Sequence, residues 1–171
     1  LKRYALPICY EMSTEDTFVF GFDLYFIPIV LNTSEIEWIS GKHLKALKEY
    51  GEWLSLIPHE TLGYIVLHEH CKVAKLTKAI TTLNHEEIFS CIQLATEIFH
   101  LSLIYIEYSG KYGDVEVMKR IAKKNVRAHI FYGGGIRTKE EAIEMANYAD
   151  TVVVGNIIYE DFEQALKTVF S

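Results

Sequence analysis

HIFYGGGIRTKEEAIEMANYADTVVVGN, residues 129–156, contains two apolar runs that each end in glycine, with an amphipathic stretch between them. The first run, 129–132, leads into Gly133-Gly134-Gly135-Ile136, and the second, 151–154, leads into Gly155-Asn156. Glycines let a backbone approach an anion closely and turn its N–H groups toward it, and phosphate is the natural anion for such a turn. Thr138 with Glu141 three residues on has the spacing of a capping box, so a helix starts between the two runs. Strand, glycine turn, helix, strand, glycine turn is how many (β/α)8 barrels build a phosphate site after their last two strands.

Upstream the same alternation recurs. Further runs rich in Ile, Val, Leu, Tyr and Phe lie at 8–12, 24–27, 63–67 and 103–108, continuous as strands covered by helices should be. Ser34 with Glu37 and Asn84 with Glu87 repeat the capping-box spacing, and Asp114 and Asp161 are helix openers. Gly51, after Lys48-Glu49-Tyr50, reads as a helix end, as do Lys123 and Lys124. Trp38, Leu44, Leu47 and Tyr50 have the spacing of a helix's buried face. Strand and helix in alternation demand a parallel sheet, because parallel neighbours need a crossover; the sheet is either doubly wound or closed into a barrel. The paired glycine turns favour the barrel. No polar or Gly/Ser linker interrupts residues 1–171, which read as a single domain.

Chemistry is expected at Tyr105-Ile106-Glu107-Tyr108-Ser109-Gly110. A strand's period of two puts Tyr105, Glu107 and Ser109 on one face near its C-terminal end. Burying an unpaired carboxylate among Leu, Ile and Tyr is costly, so Glu107 has a partner or a task. The plainer alternative is a structural glutamate bonded to a lysine or to backbone amides.

Several classes are disfavoured. With a net charge of −6 and no basic stripe, the chain does not suit nucleic acid, and a phosphorylated substrate must be held locally by backbone amides. The three cysteines, Cys9, Cys71 and Cys91, are odd in number and lack CxxC spacing, which argues against a disulfide framework or a zinc cage and fits a reducing cytoplasm. His68-Glu69-His70-Cys71 reads as a polar loop after a strand rather than a metal site, since no third ligand stands at a recognisable spacing. No apolar run reaches the roughly 18 residues that a membrane span needs. The chain opens on Leu1 and enters an apolar segment at once, as expected of a piece of a longer protein.

Four separated motifs agree in order with one family. Gly21-Phe22-Asp23-Leu24-Tyr25-Phe26-Ile27-Pro28 with Leu31-Asn32, the 105–110 hexapeptide, 132–136, and 152–156 followed by Ile157-Ile158-Tyr159-Glu160-Asp161 resemble the bacterial heptaprenylglyceryl phosphate synthases, relatives of the archaeal geranylgeranylglyceryl phosphate synthases. The resemblance covers essentially the whole chain. It implies an α/β fold, a TIM (β/α)8 barrel in which this chain supplies strands three to eight, and an incomplete barrel if the chain stands alone. It also implies a prenyltransferase of ether-lipid biosynthesis that joins heptaprenyl diphosphate to sn-glycerol 1-phosphate. By the same likeness Tyr105, Ile106, Glu107, Tyr108, Ser109, Gly110, Gly135, Gly155 and Asn156 contact sn-glycerol 1-phosphate, Glu107 and Tyr105 are catalytic, and Tyr50 falls at the prenyl groove. The family's Mg²⁺ ligands belong to two further βα units with no counterpart here, and members usually carry Asn where His68 stands. A homodimer at full length and a peripheral approach to the membrane are further expectations. Rival readings are a phosphosugar isomerase or synthase barrel sharing the two phosphate turns, and an inactive fragment. The hexapeptide separates the first rival, which has no use for Tyr-x-Glu-Tyr-Ser-Gly.

Overall fold

The computed structural model describes residues 6–12 and 19–170. Six parallel strands pair strictly in chain order: β1 (Cys9–Glu11), β2 (Leu24–Val30), β3 (His59–Val66), β4 (Leu103–Glu107), β5 (His129–Gly133) and β6 (Thr151–Val153). A doubly wound sheet reverses its order part-way, and this one does not, so right-handed crossovers all fall on one side. The sheet curls into a half-barrel, α/β and barrel-like.

Alternation along each strand divides two apolar clusters. Ile65, Ile104, Ile106, Ile130 and Tyr132 face the convex side, where they pack with Ile88 and Ile92 of α3 (His85–Gln93), with Val117, Met118 and Ile121 of α4 (Val115–Lys123), and with Ala142 and Met145 of α5 (Lys139–Ala146). Each fully buried Ile or Met side chain contributes roughly 1.5–3 kcal/mol to this layer. Val30, Leu62, Tyr64, Val66 and Tyr105 form the concave cluster. There Tyr64 of β3, Tyr105 of β4 and Phe131 of β5 are register partners and stack as a ladder of rings, Tyr64 on Tyr105 at 4.6 Å and Tyr105 on Phe131 at 6.2 Å.

The caps expected at Asn84 and Thr138 form complete capping boxes, and the carboxylates of Asp114 and Asp161 accept backbone N–H groups at the starts of α4 and of α7 (Phe162–Lys167). The box expected at Ser34 does not form. Thr33 ties the chain there, its hydroxyl donating to the Thr77 carbonyl and accepting the Glu35 N–H, and only a short 3-10 turn, Ile36–Trp38, follows. Helix α1 (Gly41–Leu54) runs through Gly51, which is not in the left-handed conformation that would end it. It buries none of its residues, and Leu44 and Leu47 are 67% and 46% exposed, so the apolar spacing there does not mark a core face. Strand β3 starts four residues before the expected 63, because His59-Glu60-Thr61 pair with β2 despite their polarity. Pro28, with no N–H to give, lies beyond the three β2 residues that pair with β1.

Candidate functional site

All six strands point their C-terminal ends the same way, so the groups expected to act together lie along one rim. Glu107 closes β4 on the concave side and is 3% exposed. Its Oε1 accepts the Ser109 N–H at 2.5 Å. Burial pushes the Glu107 carboxyl above the ordinary carboxylate range, and hydrogen bonds from Ser109 draw it partly back. His68, after β3, donates its Nδ1 hydrogen to the Ser109 carbonyl at 2.8 Å, because a carbonyl can only accept. Its ring therefore stands over the β4 turn, near enough to Glu107 to favour the charged carboxylate.

The hexapeptide does not act as one surface. Tyr105 and Glu107 face the concave side, while Ile106 and Tyr108 are buried in the convex cluster beneath the helices. The side chains of Ile106 and Tyr108, expected at the ligand, are thus turned away from the concave side. Ser109 and Gly110 lie past the strand's end and are exposed, Gly110 with φ +84°.

Next to β4, the turn after β5 is shaped by what packs against it. A Cβ at Gly133 would sit 1.9 Å from the Tyr105 hydroxyl, one at Gly134 2.4 Å from the Tyr108 Cβ, and one at Gly135 2.3 Å from the Tyr112 backbone nitrogen. Gly135 also has φ +57°. The buried Tyr132 hydroxyl accepts the Gly113 N–H at 2.7 Å and donates to the Gly134 carbonyl at 2.8 Å, joining this turn to the loop after β4. The turn after β6 is open: nothing lies within 4 Å of a Cβ at Gly155, and both Gly155 and Asn156 are exposed at the start of α6 (Ile157–Glu160). The Arg137 guanidinium pairs with the Glu160 carboxylate, tying the two turns together along the rim.

Three contributors were not expected from the sequence. The Tyr64 hydroxyl donates to Glu11 Oε2 at 2.5 Å, bringing a second carboxylate to the concave side. Glu11 ends an apolar run as Glu107 does, and that shared placement is the signal that could have found it. Buried Asn32 accepts the Val66 N–H at 3.0 Å and donates to the Val66 and Ile80 carbonyls at 2.7 and 3.0 Å, pinning the ends of β2 and β3 at the rim. Beside these lies an apolar cavity of about 410 Å³, walled by Trp38, Leu47, Tyr50 and Leu54 on one side and by Pro28, Val30 and Tyr64 on the other. Tyr50 lines this cavity. Among the described residues no three His, Cys, Asp or Glu side chains converge as a metal cage, and no helix is long and apolar enough to cross a membrane.

The PcrB family profile matches residues 1–171. The heptaprenylglyceryl phosphate synthases of Bacillus cereus and Bacillus licheniformis are 47% and 48% identical to this chain, which covers 74% of each of them. Among solved structures, the wild-type GGGPS of Thermoplasma volcanium superposes with a TM-score of 0.69 at 27% identity over 88% of this chain. The (S)-3-O-geranylgeranylglyceryl phosphate synthase of Thermoplasma acidophilum, solved in complex with its substrate sn-glycerol-1-phosphate, superposes equally well over 86%. The chain spans 65% and 64% of the lengths of those two structures.

Proposed function

This chain belongs to the PcrB family, and from that premise we propose that its gene product joins heptaprenyl diphosphate to sn-glycerol 1-phosphate to give a prenylglyceryl phosphate. The observation that carries the reading is Glu107, a buried carboxylate on the concave face whose strand is flanked by the first of two neighbouring glycine turns.

In this reading the exposed amides at Gly155 and Asn156, with that of Gly135, hold the phosphate, and Ser109 and Gly110 border the glycerol. The Tyr105 hydroxyl orients the free hydroxyl of the glycerol, and Glu107 accepts its proton as the oxygen attacks the allylic carbon. A carboxylate whose proton affinity is raised by burial is a better base than one in water, which suits that role. Holding nucleophile and electrophile in line removes entropy from the barrier. The apolar cavity past Tyr50 and Leu54 takes the prenyl chain.

Magnesium belongs to the family expectation, but the described residues offer no cage that fits it, and no step here runs through it. A homodimer, a cytoplasmic location and a peripheral approach to the membrane complete the proposal; they rest on the resemblance and on cysteine usage.

The test is to incubate the full-length gene product with labelled sn-glycerol 1-phosphate and heptaprenyl diphosphate. Glu107→Gln should keep glycerol phosphate binding within about threefold while turnover falls roughly 10²–10⁴-fold, the usual worth of a general base. Undiminished product formation would dismiss the assignment.

A further inference from the structure

The concave face holds a carboxylate that the mechanism above leaves idle. Glu11 is the last residue of β1, two strands away from Tyr64, yet the Tyr64 hydroxyl reaches it at 2.5 Å. The Tyr64 ring in turn lies nearly parallel to that of Tyr105, 13° between planes. Both Glu11 and Tyr64 also line the apolar cavity, and Glu11 is the only acidic side chain among its described lining residues. The cavity therefore runs up to a carboxylate and a phenol, and the phenol's ring is shared with the site where Tyr105 and Glu107 stand. Burial, with the Glu11 charge second, pushes the Tyr64 hydroxyl far up, so it remains a donor that fixes the carboxylate.

We propose that Glu11, held in place by Tyr64, faces the allylic end of the prenyl diphosphate and stabilises the positive charge that develops there. This rests on the prenyl-transfer reading and adds a residue to it. In the step concerned, the bond between allylic C1 and the diphosphate oxygen breaks, and its electron pair leaves with the diphosphate. Positive charge spreads over the allyl group, the glycerol phosphate hydroxyl oxygen forms the new bond to C1, and its proton passes to Glu107. Glu11 forms no bond and takes no proton; it acts through its charge alone. Glu11 is exposed at the end of the edge strand, and a charge held in place by Tyr64 needs no reorganisation as the allylic charge develops.

The experiment separates ionisation from transfer. Without glycerol phosphate, water takes the acceptor's place: C1–O to diphosphate breaks, C1–OH forms, a proton goes to solvent, and prenol is released. In the full-length gene product, Glu11→Gln should lower both prenol release and transfer about 10²-fold, with the Kd for prenyl diphosphate within threefold and the melting temperature unchanged. Glu11→Asp should recover part of the loss, and Tyr64→Phe, which keeps the ring but not the hydroxyl, should lose about tenfold. Equal prenol release by wild type and Glu11→Gln overturns the inference. So does a loss matched by weaker prenyl diphosphate binding or a lowered melting temperature, which would make Glu11 a structural partner only. If Glu11→Gln loses prenol release as expected but the wild type binds no glycerol phosphate, the inference stands and the acceptor reading falls.

Discussion

The turns after β5 and β6 look alike in sequence and are built under opposite constraints. Around Gly133–Gly135 the protein itself fills the space that side chains would need: a hydroxyl oxygen, a side-chain Cβ and a backbone nitrogen each stand within 2.4 Å of where a Cβ would be. A Cβ at Gly155 would meet nothing within 4 Å among the described residues apart from its own chain neighbours. The first set of glycines is required by folding whatever the protein binds. No described side chain or backbone imposes that requirement on the second. A glycine motif therefore points to a ligand only after its packing has been accounted for.

Substitutions can break this contrast. Gly135→Ala combines a left-handed φ with a backbone collision and should cost about 3 kcal/mol or more, read from urea unfolding. A cost below 1 kcal/mol would mean that the turn yields easily and the contrast is false. Tyr132→Phe removes the hydroxyl that joins this turn to Gly113 and leaves a buried N–H without its acceptor, for a loss of roughly 1–3 kcal/mol by the same measurement.

Glu107 sharpens the comparison through pH. Its carboxyl binds a proton more tightly folded than unfolded, so its contribution to stability is full below the unfolded pKa of about 4.3 and is lost as pH rises through the higher folded value. That is the reverse of an ordinary salt-bridged carboxylate. Unfolding free energies measured across this range should show the decline in wild type and lack this component in Glu107→Gln. The smallest expected effect on stability is that of Gly155→Ala, within about 0.5 kcal/mol of wild type, since nothing is displaced. The same variant should weaken glycerol phosphate binding about tenfold in calorimetry, an effect of roughly 1.4 kcal/mol; unchanged affinity would remove Gly155 from the site.

What the sequence made legible follows from what each signal reports. Runs of β-branched and aromatic residues report burial on both faces, and all six expected strands are present. Polar side chains at the start of a strand carry no such mark, and His59-Glu60-Thr61 have none. Period-3.6 spacing on α1 reports apolar contact but not its partner: Leu47 and Tyr50 meet a cavity rather than a sheet. Glu107 stood out because a carboxylate is out of place in an apolar strand. Glu11 has the same placement at the end of an apolar run, but it is exposed, and its partner Tyr64 stands 53 residues away. The rim's architecture was readable from local pattern, whereas the Glu11–Tyr64 contact spans strands and needed coordinates.

The ring ladder of Tyr64, Tyr105 and Phe131 contains no tryptophan, and both tryptophans of the chain, Trp38 and Trp53, belong to the 3-10 turn and helix beside the cavity. The two halves of the site thus report in different optical channels. Indole fluorescence follows whatever enters the groove beside Trp38, and because Tyr64 lines that groove while stacked on Tyr105, the same occupant also reaches the ring ladder, so an unlabelled titration can follow both.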